Sequence, residues 1–232
     1  MPDVLTPSAG TRPHGARHAR VRCRLLASRL DVPVWVLLIE VFIGLGWLRA
    51  AAEKIIDPAW WSGDVVADFL VAHEGATLPW YRLVEEAIVR PGMGLVLIYV
   101  VLAQLAIGAA LVAGVRRELA LGVGVFLNLN FIALGAVTPS AFYVLAQLAV
   151  LLWVVESRLD HGAMRSVAAA GAVTGLVLAV TSLPAVSTID PALVIDDPAV
   201  MLTLLGVLVT AACLVLLHRP DAQRSNATYE YS

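Results

Sequence analysis

Charged residues are scarce in this chain of 232 residues. Asp, Glu, Lys and Arg make up 15% of it, against about 25% in soluble globular domains. Hydrophobic residues make up 59%, against a usual 45–50% or so. The mean hydropathy is +0.82 and the formal net charge is −2. These values exclude an ordinary soluble domain, and without a basic domain they predict no nucleic-acid partner.

Cysteine and histidine do not occur at the spacings that most cofactor-binding sites require. The two cysteines, Cys23 and Cys213, form no CxxC motif and no zinc spacing, which argues against a disulfide-relay enzyme that works alone. No histidine lies near the middle of an apolar run, so a haem with two histidine ligands is not expected. The chain has no P-loop. We therefore predict no metal site, no haem and no nucleotide hydrolysis.

Long apolar runs are the dominant feature. A helix needs roughly 20 mainly apolar residues to cross the hydrocarbon layer of a bilayer. Six such runs occur, at about 33–54, 92–113, 118–136, 140–157, 164–184 and 198–217. The sequence therefore predicts an all-α polytopic membrane protein with six transmembrane helices.

The arginines indicate how these helices are oriented. Basic residues cluster in cytoplasmic loops of membrane proteins. If six helices alternate, one side of the membrane receives all the basic clusters: Arg12 to Arg29 before the first run, Arg116 and Arg117, Arg158 and Arg165, and Arg219 and Arg224. We therefore predict a basic cytoplasmic tail at 1–32 and a second cytoplasmic tail at 219–232. Membrane lipids are an expected partner of such basic tails.

Segment 57–91 is the one long connection, and it lies on the side opposite the arginines. Trp60, Val66, Phe69 and Leu70 follow a helical spacing, and Trp80, Leu83, Val84 and Ile88 repeat it. We predict two short amphipathic helices there. They could serve as an interfacial anchor or could cover the mouth of the bundle, and the sequence leaves both interpretations open.

Polar residues inside the first four runs predict a polar-lined core, because lipid cannot satisfy such groups. Glu40 lies about two turns inside the first run, where a charge is costly. It is the candidate catalytic residue, although it could equally hold a neighbouring helix. Near the other end of the same run, Arg49 and Glu53 can pair at a spacing of four residues, and Lys54 follows. These three either reach the membrane surface or form a charged site for an anionic or quinone-like head group.

Amides occupy the other three core runs. They are Gln104, Asn128, Asn130 and Gln147, and they could link helices or contribute to a binding site. Asn128 and Asn130 are two residues apart, so we do not expect both to face one site. Runs five and six carry only small hydroxyls and a thiol. The domain prediction is therefore a four-helix core at 33–157 and two accessory transmembrane helices at 158–218.

Two parts of residues 34–157 carry a distinctive pattern: the stretch from Gly44 to Trp61, and Asn130-Phe131 followed by Gly135, Pro139-Ser140, Phe142-Tyr143 and Gln147. This pattern resembles that of the DoxX-like and DoxD-like membrane proteins. It implies a four-helix bundle in a bacterial plasma membrane, and its best-described members are subunits of thiosulfate:quinone oxidoreductase. Arg49, Glu53, Lys54, Asn130 and Gln147 are the matching positions. The extra C-terminal helices and the basic tail depart from the family pattern and leave substrate and partner open.

Three functions are compatible with these features. The first is a quinone-linked oxidoreductase subunit that uses quinone as cofactor and passes electrons from a reduced sulfur compound or a partner protein. Glu40 would then exchange the proton, and Arg49, Glu53, Lys54, Gln104, Asn130 and Gln147 would bind the cofactor. The second is a non-catalytic scaffold of a membrane complex. The third, a small-molecule transporter, is disfavoured because the sequence shows no inverted repeat and no broken helix.

Overall fold

The computed structural model describes residues 32–74, 77–188, 190 and 193–218. Almost all of the predicted basic tail at 1–32, and the whole predicted tail at 219–232, lie outside the described residues. Within the described ranges all regular secondary structure is helical, as predicted.

Six long helices carry the fold: α1 (Val34–Ile56), α5 (Met93–Ala113), α6 (Arg117–Ala133), α7 (Val137–Arg158), α8 (His161–Ser182) and α9 (Pro198–His218). Five of them are long and apolar enough to cross a membrane, which is the composition of a multi-pass membrane protein. The exception is α6, which has only 17 residues. That α6 also crosses the membrane stays a prediction.

Local sequence signals account for the helix ends. Gly114, in the left-handed region with φ 68°, ends α5. The Asp160 side chain accepts a hydrogen bond from the Ala163 amide and begins α8, and Asp197 does the same for α9 through the Ala199 amide. The fourth apolar run was predicted to begin at about residue 140, but α7 begins at Val137 and includes Pro139. A proline fits within the first helical turn, where its missing N–H has no helical partner.

The long helices associate mainly in pairs. The most extensive contacts join α1 to α5, α6 to α7, and α8 to α9, whereas α5 and α6 meet less extensively. Close approach in the α8–α9 pair depends on Gly175 and Gly206, since a Cβ atom on either would lie within 2.7 Å of the other's carbonyl oxygen. Helix α9 also contacts α6 and α7.

The connection after α1 folds into a compact cap, which comprises α2 (Pro58–Ser62), α3 (Asp64–Ala72) and α4 (Arg82–Val84) with the π-helical turn Glu85–Val89. We predicted two amphipathic helices, but the first is divided at Gly63, whose φ of 87° suits glycine. Leu78 and Tyr81 are buried against α6, and the Leu78 amide donates to the Ala133 carbonyl at 3.3 Å. The cap is therefore packed onto the bundle at the end where α1 finishes.

Candidate functional site

A cavity of about 600 Å³ lies beneath the cap, between α1, α5, α6 and α7. This volume is within the usual range for small-molecule sites. Most of its wall is apolar, and the few polar side chains come from different elements: Lys54, Tyr81, Tyr99, Gln104, Asn128, Asn130, Ser140 and Tyr143. An apolar cavity with a few converging polar groups is typical of a binding site for an apolar ligand with a polar head.

Lys54 is the charged residue in the described wall, near the end of α1. Its ammonium group donates to the Ala50 carbonyl at 3.3 Å and lies 5.0 Å from the centroid of the Trp60 ring. None of the wall residues is an aspartate or a glutamate. The cavity therefore has a positive electrostatic bias, which favours a ligand whose head carries electron-rich oxygen atoms.

Gln104 brings an unsatisfied amide to the wall from the middle of α5. The residue is 2% exposed, and its carbonyl oxygen has no hydrogen-bond partner among the described residues. The indole N–H groups of two other wall residues, Trp47 and Trp60, also lack partners there. A buried polar group without a partner costs about 1–3 kcal/mol. The wall therefore contains hydrogen-bonding groups that have no partner among the described residues.

Asn130 joins the bundle to the cap. Its side-chain oxygen accepts a hydrogen bond from the Tyr81 hydroxyl at 2.6 Å, and its amide nitrogen donates to the Phe126 carbonyl at 2.6 Å. Burial, with a further contribution from the Glu85 carboxylate, raises the pKa of Tyr81 to about 12. The Tyr81 hydroxyl is therefore protonated at neutral pH and can maintain this contact.

Asn128 and Gln147 form an amide pair between α6 and α7. The Asn128 amide donates to the Gln147 side-chain oxygen at 3.2 Å, and Gln147 is fully buried outside the cavity wall. Asn128 and Asn130 both belong to the cavity wall, which includes most positions from Phe126 to Phe131. Their side chains nevertheless take different partners, as their spacing predicts: Asn128 pairs with Gln147 behind the wall, and Asn130 pairs with Tyr81 of the cap.

Glu40 lies elsewhere in the bundle. Its carboxylate oxygen is 2.8 Å from the Nε atom of Arg117, and both side chains are buried, at 0% and 4% exposure. Fourteen residues separate Glu40 from Lys54 along α1, or about 21 Å at the helical rise. Glu40 is not among the residues of the cavity wall, so its predicted role in proton exchange gains no geometric support.

Sequence reasoning missed the role of Arg117. We interpreted Arg116 and Arg117 together as a loop signal for orientation. Arg117 is instead the first residue of α6 and turns inward to Glu40, after Arg116 adopts a left-handed backbone with φ 47°. The available signal was the buried glutamate itself, since such a charge needs a cation at the same depth on a neighbouring helix.

The structure brings together three of the six predicted ligand-binding residues. Lys54, Gln104 and Asn130 line the cavity, whereas Gln147 lies behind its wall. Arg49 and Glu53 form an exposed ion pair, with Nε and Oε1 2.7 Å apart, and neither contributes to the wall. Trp47, Trp60 and Tyr81 are wall residues that the sequence analysis did not select as ligand contacts.

Comparisons with known proteins add no identification. No protein-family model matches the chain, and neither the curated proteins nor the solved structures gave a significant match. The resemblance to DoxX-like proteins therefore stays a prediction.

Proposed function

We propose that this chain is a DoxX-like integral membrane subunit of a quinone-linked oxidoreductase, with six membrane-spanning helices arranged as a four-helix core and an accessory pair. One observation carries the functional part of the proposal. The cap-covered cavity combines a largely apolar wall with a buried Gln104 carbonyl oxygen that lacks a partner among the described residues and with the Lys54 ammonium group. An apolar molecule whose polar head bears oxygen atoms suits this wall, and a quinone belongs to that class.

Two residues of the wall would hold such a head. The Lys54 ammonium can donate to a carbonyl oxygen, and the Gln104 amide offers both a donor and an acceptor. A bound quinone would supply the capacity to accept two electrons and two protons from a reduced sulfur compound or a partner protein. The apolar wall contributed by α5 and α6 would keep water away from the head and strengthen its polar contacts.

The direct test is mass spectrometry of the lipids that co-purify with the detergent-solubilised protein. We expect near-stoichiometric quinone in the wild type. In Lys54→Met and Gln104→Leu we expect about tenfold less, since losing one hydrogen bond to a charged or buried group costs roughly 1.5 kcal/mol. Glu53→Gln is the matched control, because Glu53 neighbours Lys54 but lies outside the cavity.

Absence of enriched quinone from the wild type, even after incubation with excess quinone, would contradict the proposal. The scaffold function would then be favoured, with the cap as the docking element for a partner protein. A transporter ranks third, because α1, α5, α7 and α9 each run unbroken through their apolar stretch.

A further inference from the structure

Two lateral seams of the bundle, one between α1 and α7 and one between α5 and α6, include residues of the cavity wall, and the two seams differ. At the seam between α1 and α7, the Phe42 ring contacts the rings of Phe142 and Tyr143, with centroids 6.1 and 6.4 Å apart. The Tyr143 hydroxyl fills the space where a side chain on Gly46 would project. This seam is closed by packed aromatic rings.

The seam between α5 and α6 is open by comparison. Tyr99 of α5 and Phe126 of α6 both line the cavity, and they are also 51% and 59% exposed. Neither ring stacks on another ring within the described part of the chain. Side chains that face both the cavity and the outside mark a passage between them.

The depth of this seam determines what can pass. Tyr99 lies six residues from the start of α5 and Phe126 seven residues from the end of α6, so both lie about 9–11 Å below the cap end of the bundle. In a bilayer that depth is hydrocarbon. Lys54 lies only two residues from the end of α1, near the membrane surface. An amphipathic ligand would match this arrangement with its chain at the seam and its head towards Lys54.

We propose that the ligand of this cavity is a chain-bearing lipid that enters sideways from the bilayer between α5 and α6, and whose chain remains in the seam beside Tyr99 and Phe126. This inference rests on the proposed function only in requiring a ligand for the cavity. The head is defined by its chemistry, an oxygen acceptor for Lys54. A quinone carbonyl and a fatty-acid carboxylate both satisfy that requirement, so the test includes both.

The test is photocrosslinking of the full-length protein in lipid nanodiscs. Two probes carry a diazirine at the same depth of their chains: a quinone and a fatty acid. Labelling that unlabelled probe competes away is mapped by mass spectrometry. We expect competable labels on α5 and α6 around Tyr99 and Phe126. Competable labels on Phe42 and Phe142, labels confined to the cap, or no competable labelling with either probe would overturn the inference.

Adjacent residues of α5 provide a matched pair of variants. Val96 lines the cavity one turn from Tyr99, whereas Leu95 is exposed and outside the wall. We expect Val96→Trp to reduce competable labelling about tenfold, because the larger side chain would occupy part of the cavity, and Leu95→Trp to leave it unchanged. Equal labelling in the two variants would argue against passage through this seam.

The two probes separate this inference from the proposed function. Seam labelling by the quinone probe supports both. Seam labelling by the fatty-acid probe alone supports lateral entry and contradicts the quinone-linked function.

Discussion

Glu40 and Arg117 illustrate how one buried charge constrains its neighbours. Both lie in an apolar interior where a lone charge would be very costly, and their 2.8 Å contact joins the first half of α1 to the first residue of α6. Chain connectivity alone does not link these two helices directly. The ion pair therefore holds the bundle at the end opposite the cap.

Removal of the Glu40 carboxylate should destabilise the protein strongly. We expect Glu40→Gln to lower the free energy of unfolding by about 3–5 kcal/mol, because it leaves the Arg117 guanidinium buried without its counter-charge. Thermal unfolding in detergent measures the effect. Glu53→Gln, which breaks the exposed pair with Arg49, should cost no more than about 1 kcal/mol. Equal effects of the two variants would contradict a stabilising role of the buried pair.

The raised pKa of Tyr81 predicts that the stability of the folded protein depends on pH in the alkaline range. Its pKa in the folded protein is about 12, above the ordinary value of 10.0, so the folded state favours the protonated phenol. The associated stabilisation is complete below pH 10 and is lost as the pH rises towards 12. Tyr81→Phe should lose this component of the pH dependence. Absorbance titration measures tyrosine ionisation, and melting curves between pH 9 and about 12 measure the loss of stability. Identical melting profiles for the wild type and Tyr81→Phe would contradict the prediction.

At the scale of elements, α8 and α9 depend on two glycines. Because a Cβ on Gly206 would lie 2.5 Å from the Gly175 carbonyl oxygen, Gly206→Ala should push the helices apart. We expect a loss of roughly 1–3 kcal/mol in stability. Gly122 of α6 is the control: it has open space around it, so Gly122→Ala should be neutral or stabilising by up to about 1 kcal/mol. Thermal unfolding measures the stability of both variants. Equal stability of Gly206→Ala and Gly122→Ala would argue against tight packing of α8 on α9.

The start of α9 depends on the side chain of Asp197, which accepts a hydrogen bond from the Ala199 amide. Burial acts to raise the pKa of Asp197, but hydrogen bonds from Ser187, Val200 and Ala199 outweigh it and lower the pKa below its usual value. The stability linked to this carboxylate is present above its ordinary pKa and is lost as the pH falls through the folded value. Asp197→Ala should therefore cost about 1 kcal/mol at neutral pH, with a smaller difference in acid melting curves. A cost that stays constant down to pH 3 or so would contradict the linkage.

At the scale of the whole molecule, the open question is whether α6 completes a sixth crossing. In a variant without Cys23 and Cys213, we expect Ser62→Cys to react with an impermeant maleimide on intact cells, and Ser157→Cys only after permeabilisation. Both positions are exposed. If α6 did not cross, α7 would begin on the cytoplasmic side and Ser157 would be labelled from outside. That result would contradict the six-helix topology and the positive-inside prediction.

Much of the architecture follows from local physics. Apolar runs of about 20 residues form helices in lipid wherever they occur, so the long helices and most of their ends could be read from the sequence. Gly63 divides a predicted cap helix, and α7 begins at Val137 rather than after Pro139. Both differences depend on a single backbone conformation, which composition does not reveal.

The site was only partly predictable. Lys54, Gln104 and Asn130, which we selected as polar residues within apolar runs, line the cavity, and their role in binding stays a prediction. Polarity could not tell which buried groups share a cavity and which pair with one another. That depends on how the helices rotate and pack, which brought Glu40 to Arg117, Gln147 to Asn128, and an apolar cavity between Trp47, Trp60 and Tyr81. Local composition therefore determines the helices, whereas the cavity exists only through contacts between residues far apart in the chain.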